Sequence, residues 1–287
     1  IFEPSRSRLQ KHGLLPQIVG WQPDTITPAL DAIILGMHAR KDNPELLRAQ
    51  ELGLKVYSYP EYLYEQTKEK TRVVVGGSHG KTTITSMIMH VLKALGRDFD
   101  YMVGAQLEGR DTMVRLTKEA PIAIFEGDEY LSSPIDLTPK FHWYKPHIAL
   151  LSGIAWDHIN VFPTWDGYVE QFAIFARSIE PGGKLIYFKG DENLAAIAQN
   201  MTHADTIAYH GLPARNDNGT TVIEYAGKSY PLLVFGDHNL QNIEGAMLVC
   251  QQLGIKPEDF LTAITSFNGA AKRLQVLKKN SYSTIFL

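Results

Sequence analysis

Arg72-Val-Val-Val-Gly-Gly-Ser-His-Gly-Lys-Thr-Thr83 decides the fold. Its first four residues read as a buried strand running into a Gly-rich turn. From Thr82 to Leu95 apolar residues recur at helical spacing, and Gly96 closes the helix. A Gly-rich turn between a strand and a helix is what a phosphate cradle requires. Glycines let the backbone approach an oxyanion and adopt positive φ. The first helical N–H groups are unpaired and point at the anion, and the helix dipole adds to the attraction. Gly77, Ser78, His79, Gly80, Lys81, Thr82 and Thr83 are therefore the candidate nucleotide-binding residues. Lys81 is placed to reach the β and γ phosphates, and the Thr82 hydroxyl to hold Mg²⁺. The strict pattern wants a glycine where Val75 stands, so the loop reads as a shortened variant.

Further strands follow at Ala120–Phe125, His147–Leu151 and Lys184–Phe188, with a helix from Tyr168 to Ile179. The first of these strands ends in Glu126-Gly-Asp-Glu-Tyr130. Carboxylates at the carboxyl end of a parallel strand face the ligand crevice, and hard oxygen donors suit Mg²⁺. Glu126, nearest the strand, is the first choice as metal ligand. The second is followed by Trp156-Asp-His-Ile-Asn160, which should open into the same crevice. His158 is a candidate for a second Mg²⁺, although imidazole is a less usual ligand for it, or for a phosphate contact. From Asp205 to Phe235 the pattern changes to short strands with an Asn218-Gly219 turn, predicting a small antiparallel portion. Helices are predicted near Asn239–Leu253 and Pro257–Ser266, the first opened by Gly236-Asp-His-Asn239 with Asn239 or Asn242 as cap.

Upstream, Asp31–Gly36 reads as a buried strand. Asn43 and Pro44 start a helix that Gly53 closes, and Leu54–Ser58 is a second strand. Strand–helix–strand order favours a parallel sheet. A domain of this kind needs an earlier strand, so residues 1–69 are expected to be a truncated domain. Lys68 to Thr71 read as a polar hinge before a larger unit, residues 70–287.

The 287 residues suit about two domains. A net charge of −3 argues against a nucleic-acid or acidic-membrane binder. Cys250 is the one cysteine, so no intrachain disulfide is possible and a reducing cytoplasm fits. No apolar run approaches ~20 residues, so no spanning helix is expected.

Four motifs in this order resemble the Mur ligase family: Gly77-Ser-His-Gly-Lys-Thr-Thr83, Glu126-Gly-Asp-Glu129, Asp157-His158 with Pro163, and His238-Asn239 followed by Phe267-x-Gly-x-x-x-Arg273. These are ATP-dependent amide-bond ligases of peptidoglycan synthesis. The resemblance implies an α/β fold with a Rossmann-like, UDP-sugar-binding domain over 1–69 and a central P-loop ATPase domain over 70–287, mostly parallel in its sheet. It also implies a further C-terminal ligase domain, so the chain is expected to be a fragment that binds ATP and Mg²⁺ but ligates poorly. By the same resemblance Thr82 and Glu126 hold one Mg²⁺ and Glu126 and His158 another. Asn239 contacts adenine, Arg273 contacts the phosphates, and Lys81, Glu126 and His158 form the catalytic set.

Glu126-Gly-Asp-Glu-Tyr130 and Trp156-Asp-His-Ile-Asn-Val-Phe-Pro163 look most like the murein tripeptide branch. That branch joins L-alanyl-γ-D-glutamyl-meso-diaminopimelate to UDP-N-acetylmuramate in peptidoglycan recycling. The branch that adds L-alanine uses the same nucleotide sugar. Several relatives carry a carbamylated lysine in the helix after the Asp-His motif. Tyr168-Val-Glu-Gln-Phe172 has none, which counts against the branches adding D-glutamate, diaminopimelate or lysine. Two alternatives are folylpolyglutamate synthase, which lacks a Rossmann-like domain upstream, and a P-loop regulatory module that hydrolyses ATP without an acyl acceptor.

Overall fold

The computed structural model describes residues 3–107, 111–269, 276–279 and 284–286. The chain divides into two compact units, one of residues 1–59 with 133–136 and one of residues 60–132 with 137–287.

The first unit holds α1 (Ser5–Lys11), β1 (Ile33–Leu35), α2 (Pro44–Glu51) and β2 (Val56–Ser58). β1 and β2 pair in parallel, as the strand–helix–strand order predicts. Asn43 caps α2 by accepting from the Glu45 and Leu46 N–H groups, with Pro44 at the first helical position. β1 is less buried than its apolar run suggested, because Ile34 faces solvent. α3 (Tyr59–Thr67) leads into the second unit. The stretch read as a polar hinge is anchored there: Lys70 is buried and its ammonium donates to Asp100 Oδ2 at 2.6 Å.

The second unit is built on β3 (Thr71–Gly76), α4 (Lys81–Ala94), β4 (Asp100–Met102), β5 (Val114–Arg115), β6 (Ile122–Gly127), β7 (Ile148–Leu151), α5 (Trp165–Arg177), β8 (Lys184–Phe188), α6 (Glu192–Gln199) and β9 (Asp205–Tyr209). These strands form one seven-stranded sheet in the order β5-β4-β6-β3-β7-β8-β9, in which β5 alone runs antiparallel to its neighbour. β9 corrects the reading of 205–235 as wholly antiparallel, since it is the parallel edge of this sheet. β10 (Ala214–Asp217), β11 (Thr220–Tyr225) and β12 (Lys228–Pro231) make the small antiparallel sheet, turned at Asn218 and Gly219, both at positive φ. α7 (Asp237–Gln252) and α8 (Pro257–Ile264) follow, then the antiparallel pair β13 (Val276–Lys279) and β14 (Thr284–Phe286).

β3, β6 and β7 are apolar on both faces because helices cover both. Val73, Val75, Ile84, Met87, Ile88, Leu150, Ile243 and Cys250 share one core, and burial pushes the Cys250 thiol up. The strand order reverses at β3: the chain goes first to β4 and β6 on one side, then to β7, β8 and β9 on the other. Ligands bind at the carboxyl ends of strands at such a point. Among the described residues, no helix is long and apolar enough to cross a membrane.

Candidate functional site

Register sets three loops at one height. Gly76 pairs across β3 with Gly127 of β6 and with Leu151 of β7. The loops leaving these strands carry Gly77–Gly80, Asp128–Tyr130 and Ser152–His158. The phosphate loop, the acidic strand end and the Asp-His segment therefore leave the sheet at the same carboxyl edge.

The phosphate loop is pinned to the loop after β7. Ser78 N donates to Gly153 O at 2.9 Å, and Ser152 N donates to Gly76 O at 3.1 Å. The Ser78 hydroxyl donates to Ala155 O at 2.7 Å and accepts from Ala155 N at 2.8 Å. The Ser152 hydroxyl donates to His79 O. Gly77, at φ 122°, packs so closely that a Cβ there would lie 2.3 Å from Ser152 Oγ. Gly80, at φ 81°, starts α4 with no side-chain cap, which leaves the first helical N–H groups for an anion. A Cβ on Gly80 would meet Asn242 Oδ1 at 2.7 Å, so α7 reaches the loop through Asn242. His79 is exposed, and Lys81, Thr82 and Thr83 form the first turn of α4.

Glu126 and Glu129 lie inside this ring. Glu126 is buried, accepting from Thr82 Oγ1 at 2.8 Å and from Gly104 N at 2.9 Å. Glu129 is 1% exposed and accepts from Lys81 Nζ at 3.0 Å and from Tyr168 Oη at 2.9 Å. Tyr168 Oη also lies 3.2 Å from Ser78 Oγ. Burial, reinforced by the Glu129 charge, pushes the Tyr168 phenol up and keeps it a donor. Asp128 pairs with Lys140. Burial opposes its ionisation, but the Lys140 ammonium and the Tyr130 N–H outweigh burial and hold the carboxyl below its ordinary value.

His158 sits at φ 55°, its N–H donating to Asp157 Oδ1 and its ring edge-on to Tyr130 at 4.9 Å. Its Nε2 lies 3.8 Å from Glu129 Oε1. The carboxylates beside the His158 ring are thus Glu129 and, at 3.9 Å, Asp157, whereas Glu126 sits with Thr82. Asn239 is buried in the first turn of α7, where its Nδ2 donates to Phe235 O at 2.7 Å. The residue capping α7 is Gly236, not Asn239 or Asn242. Arg273 lies outside the described residues. The sequence pattern pointed to no site role for Glu129, Tyr168 or Ser152, and offered Asn242 only as a helix cap. Glu129 stood within the quoted acidic run, so a signal existed for it. The other three are brought in by tertiary packing.

Thr82 and Glu126 fit a hard divalent cation: a hydroxyl and a carboxylate oxygen already in contact, next to a phosphate-binding loop. Among the described residues, no group of three or more His, Cys, Asp or Glu forms a metal cluster.

The Mur ligase middle domain matches residues 75–250, and the chain belongs to this family. Members of the family are ATP-dependent, ADP-forming ligases. The UDP-N-acetylmuramate–L-alanine ligase of Frankia alni is 29% identical over 270 residues, covering 86% of this chain and 44% of that protein. The chain spans about half the length of the curated relatives it matches. In structure it is similar to the UDP-N-acetylmuramate:L-alanyl-γ-D-glutamyl-meso-diaminopimelate ligase from Neisseria meningitides, at TM-score 0.81 and 22% identity, over 93% of this chain and 88% of that one. It is also similar to a murein peptide ligase from Psychrobacter arcticus, at TM-score 0.80 and 21% identity, over 100% of this chain and 65% of that one. These likenesses show a shared fold.

Proposed function

We propose that this protein is a cytoplasmic ligase of peptidoglycan metabolism. In this reading it uses ATP to join the carboxylate of UDP-N-acetylmuramate to the amine of an amino acid or short peptide. One observation carries the reading: Lys81, Thr82, Glu126 and an uncapped helix start converge at the carboxyl ends of β3 and β6. Residues 1–69 would contribute to binding the UDP sugar, and residues 70–287 would hold ATP.

The chemistry follows from charge. The muramyl carboxylate attacks the γ-phosphorus, the bond to the ADP oxygen breaks, and an acyl phosphate forms. The amine then attacks the acyl carbon, loses a proton and expels phosphate. The first step brings two anions together, so the protein must supply positive potential. Lys81 and the first N–H groups of α4 supply it at the γ-phosphate. Thr82 and Glu126 would hold Mg²⁺, whose charge would shield the phosphate oxygens, and His158 Nε2 lies 3.8 Å from Glu129 Oε1. Asn239 and Arg273 remain the proposed adenine and phosphate contacts.

Two amines fit. The Glu126–Tyr130 and Trp156–Pro163 motifs favour the tripeptide, and the names of the curated relatives favour L-alanine. The test is ADP release with UDP-N-acetylmuramate plus each amine in turn, and with neither. Release that needs the sugar and one amine supports the ligase and identifies the amine. Equal release without them would make the protein a nucleotide hydrolase instead.

A further inference from the structure

Two carboxylates at the carboxyl end of β6, Glu126 in the strand and Glu129 in the loop after it, each hold one residue at the start of α4. Thr82 Oγ1 donates to Glu126, and Lys81 Nζ donates to Glu129. The two contacts differ in what a triphosphate does to them. A hydroxyl and a carboxylate in contact can both turn their oxygens to one divalent cation, so nucleotide entry can keep them together. An ammonium paired directly to a carboxylate has no such bridge. A phosphate oxygen is a second anion competing for the same charge.

We propose that Glu129 is the resting counter-ion of Lys81, a positioning residue that holds the ammonium in the empty loop and yields it to the nucleotide's terminal phosphates. The proposal rests on the nucleotide site described above. The geometry says which partner moves. Glu129 is 1% exposed and tied by the Tyr168 phenol, while Lys81 is 16% exposed on a four-carbon stem. Glu129 also tolerates the release. A buried carboxylate left without partners is costly, but Tyr168 Oη at 2.9 Å stays, and His158 Nε2 is 3.8 Å away. As product leaves, Glu129 recaptures Lys81, so the loop keeps one arrangement between turnovers.

The consequence runs against the usual effect of altering a binding site. Glu129 weakens nucleotide binding by occupying the Lys81 ammonium that the phosphates need. Titration calorimetry with Mg²⁺ and a nonhydrolysable ATP analogue reads this directly. Glu129→Gln should bind the analogue at least threefold tighter than the unaltered chain. In the Lys81→Ala background the same change should alter affinity by less than twofold. Glu129→Asp, which withdraws the carboxylate by one methylene, should also bind tighter, and it serves if the Gln variant fails to fold. A merely structural Glu129 predicts the opposite sign. Equal or weaker binding by a folded Glu129 variant, with a melting temperature near that of the unaltered chain, would overturn the proposal. An unaltered chain that takes up no nucleotide would instead overturn the nucleotide site itself and this proposal with it, a result told apart because no variant would then bind.

Discussion

The carboxyl end of the parallel sheet and the antiparallel sheet β10–β12 both carry carboxylates paired closely with polar or charged side chains, but the pairs are built differently. At the parallel sheet, Lys81 meets Glu129 across 48 residues and Thr82 meets Glu126 across 44, with both carboxylates buried. In the antiparallel sheet, Arg215 meets Asp217 two residues away and Glu224 nine residues away, and all three are about half exposed. The first set forms only when the fold is complete and is shielded from water. The second forms within one hairpin and is screened by solvent. Proximity alone therefore does not separate a site from a surface decoration; sequence distance and burial do.

Substitutions sharpen that contrast. The largest effect is expected from Lys81→Ala, which removes the cation over the γ-phosphate. Turnover in the ligation assay should fall by about 10²–10³. Near-normal ligation would strip Lys81 of its role. Next comes Glu126→Gln, which keeps the shape and the Thr82 contact but removes a charge. Nucleotide binding should then need about tenfold more Mg²⁺, and an unchanged Mg²⁺ titration would take Glu126 out of the metal shell.

A smaller effect is expected at the amino end of the same sheet. His147 Nδ1 accepts the Arg72 N–H at 3.1 Å, and burial, then the Arg72 charge, lower its pKa. A histidine whose folded pKa lies below its unfolded value stabilises fully above the unfolded value, and that contribution is lost as pH falls through it. The melting temperature should therefore drop between pH 7 and 5, and His147→Asn should flatten the drop by about 1–3 °C. An unaltered slope would count against His147 as its source. Least of all, Arg215→Ala should leave the melting temperature within about 1 °C. A larger loss would mean that the hairpin pairs matter as much as the site pairs.

The sequence carried much of the parallel sheet because its strands are short apolar runs set against Gly-rich or acidic punctuation, as at Val73–Gly76 and Ile122–Gly127. Caps were legible where a side chain makes them, as at Asn43. The strands β4 and β5 escaped because they are two or three residues long, and β4 opens on Asp100, a buried charge whose partner Lys70 lies 30 residues away. α6 escaped although Asp191 caps it by accepting from Asn193 and Leu194 N–H. β9 was misplaced because its exposed, polar residues resemble the hairpin that follows. At the site, local pattern supplied the loop and Glu126. The roles of Glu129, Tyr168 and Asn242 depend on which strand ends lie side by side, and no window of sequence records that.

The burial of Cys250 has a practical consequence. Because it is the chain's sole thiol and belongs to the hydrophobic interior that also includes Ile84 and Leu150, an alkylating reagent can mark the protein there only when that interior opens. The molecule thus carries its own tamper seal: the speed at which labelling proceeds, with and without nucleotide, measures how firmly an occupied loop keeps the helices behind it shut.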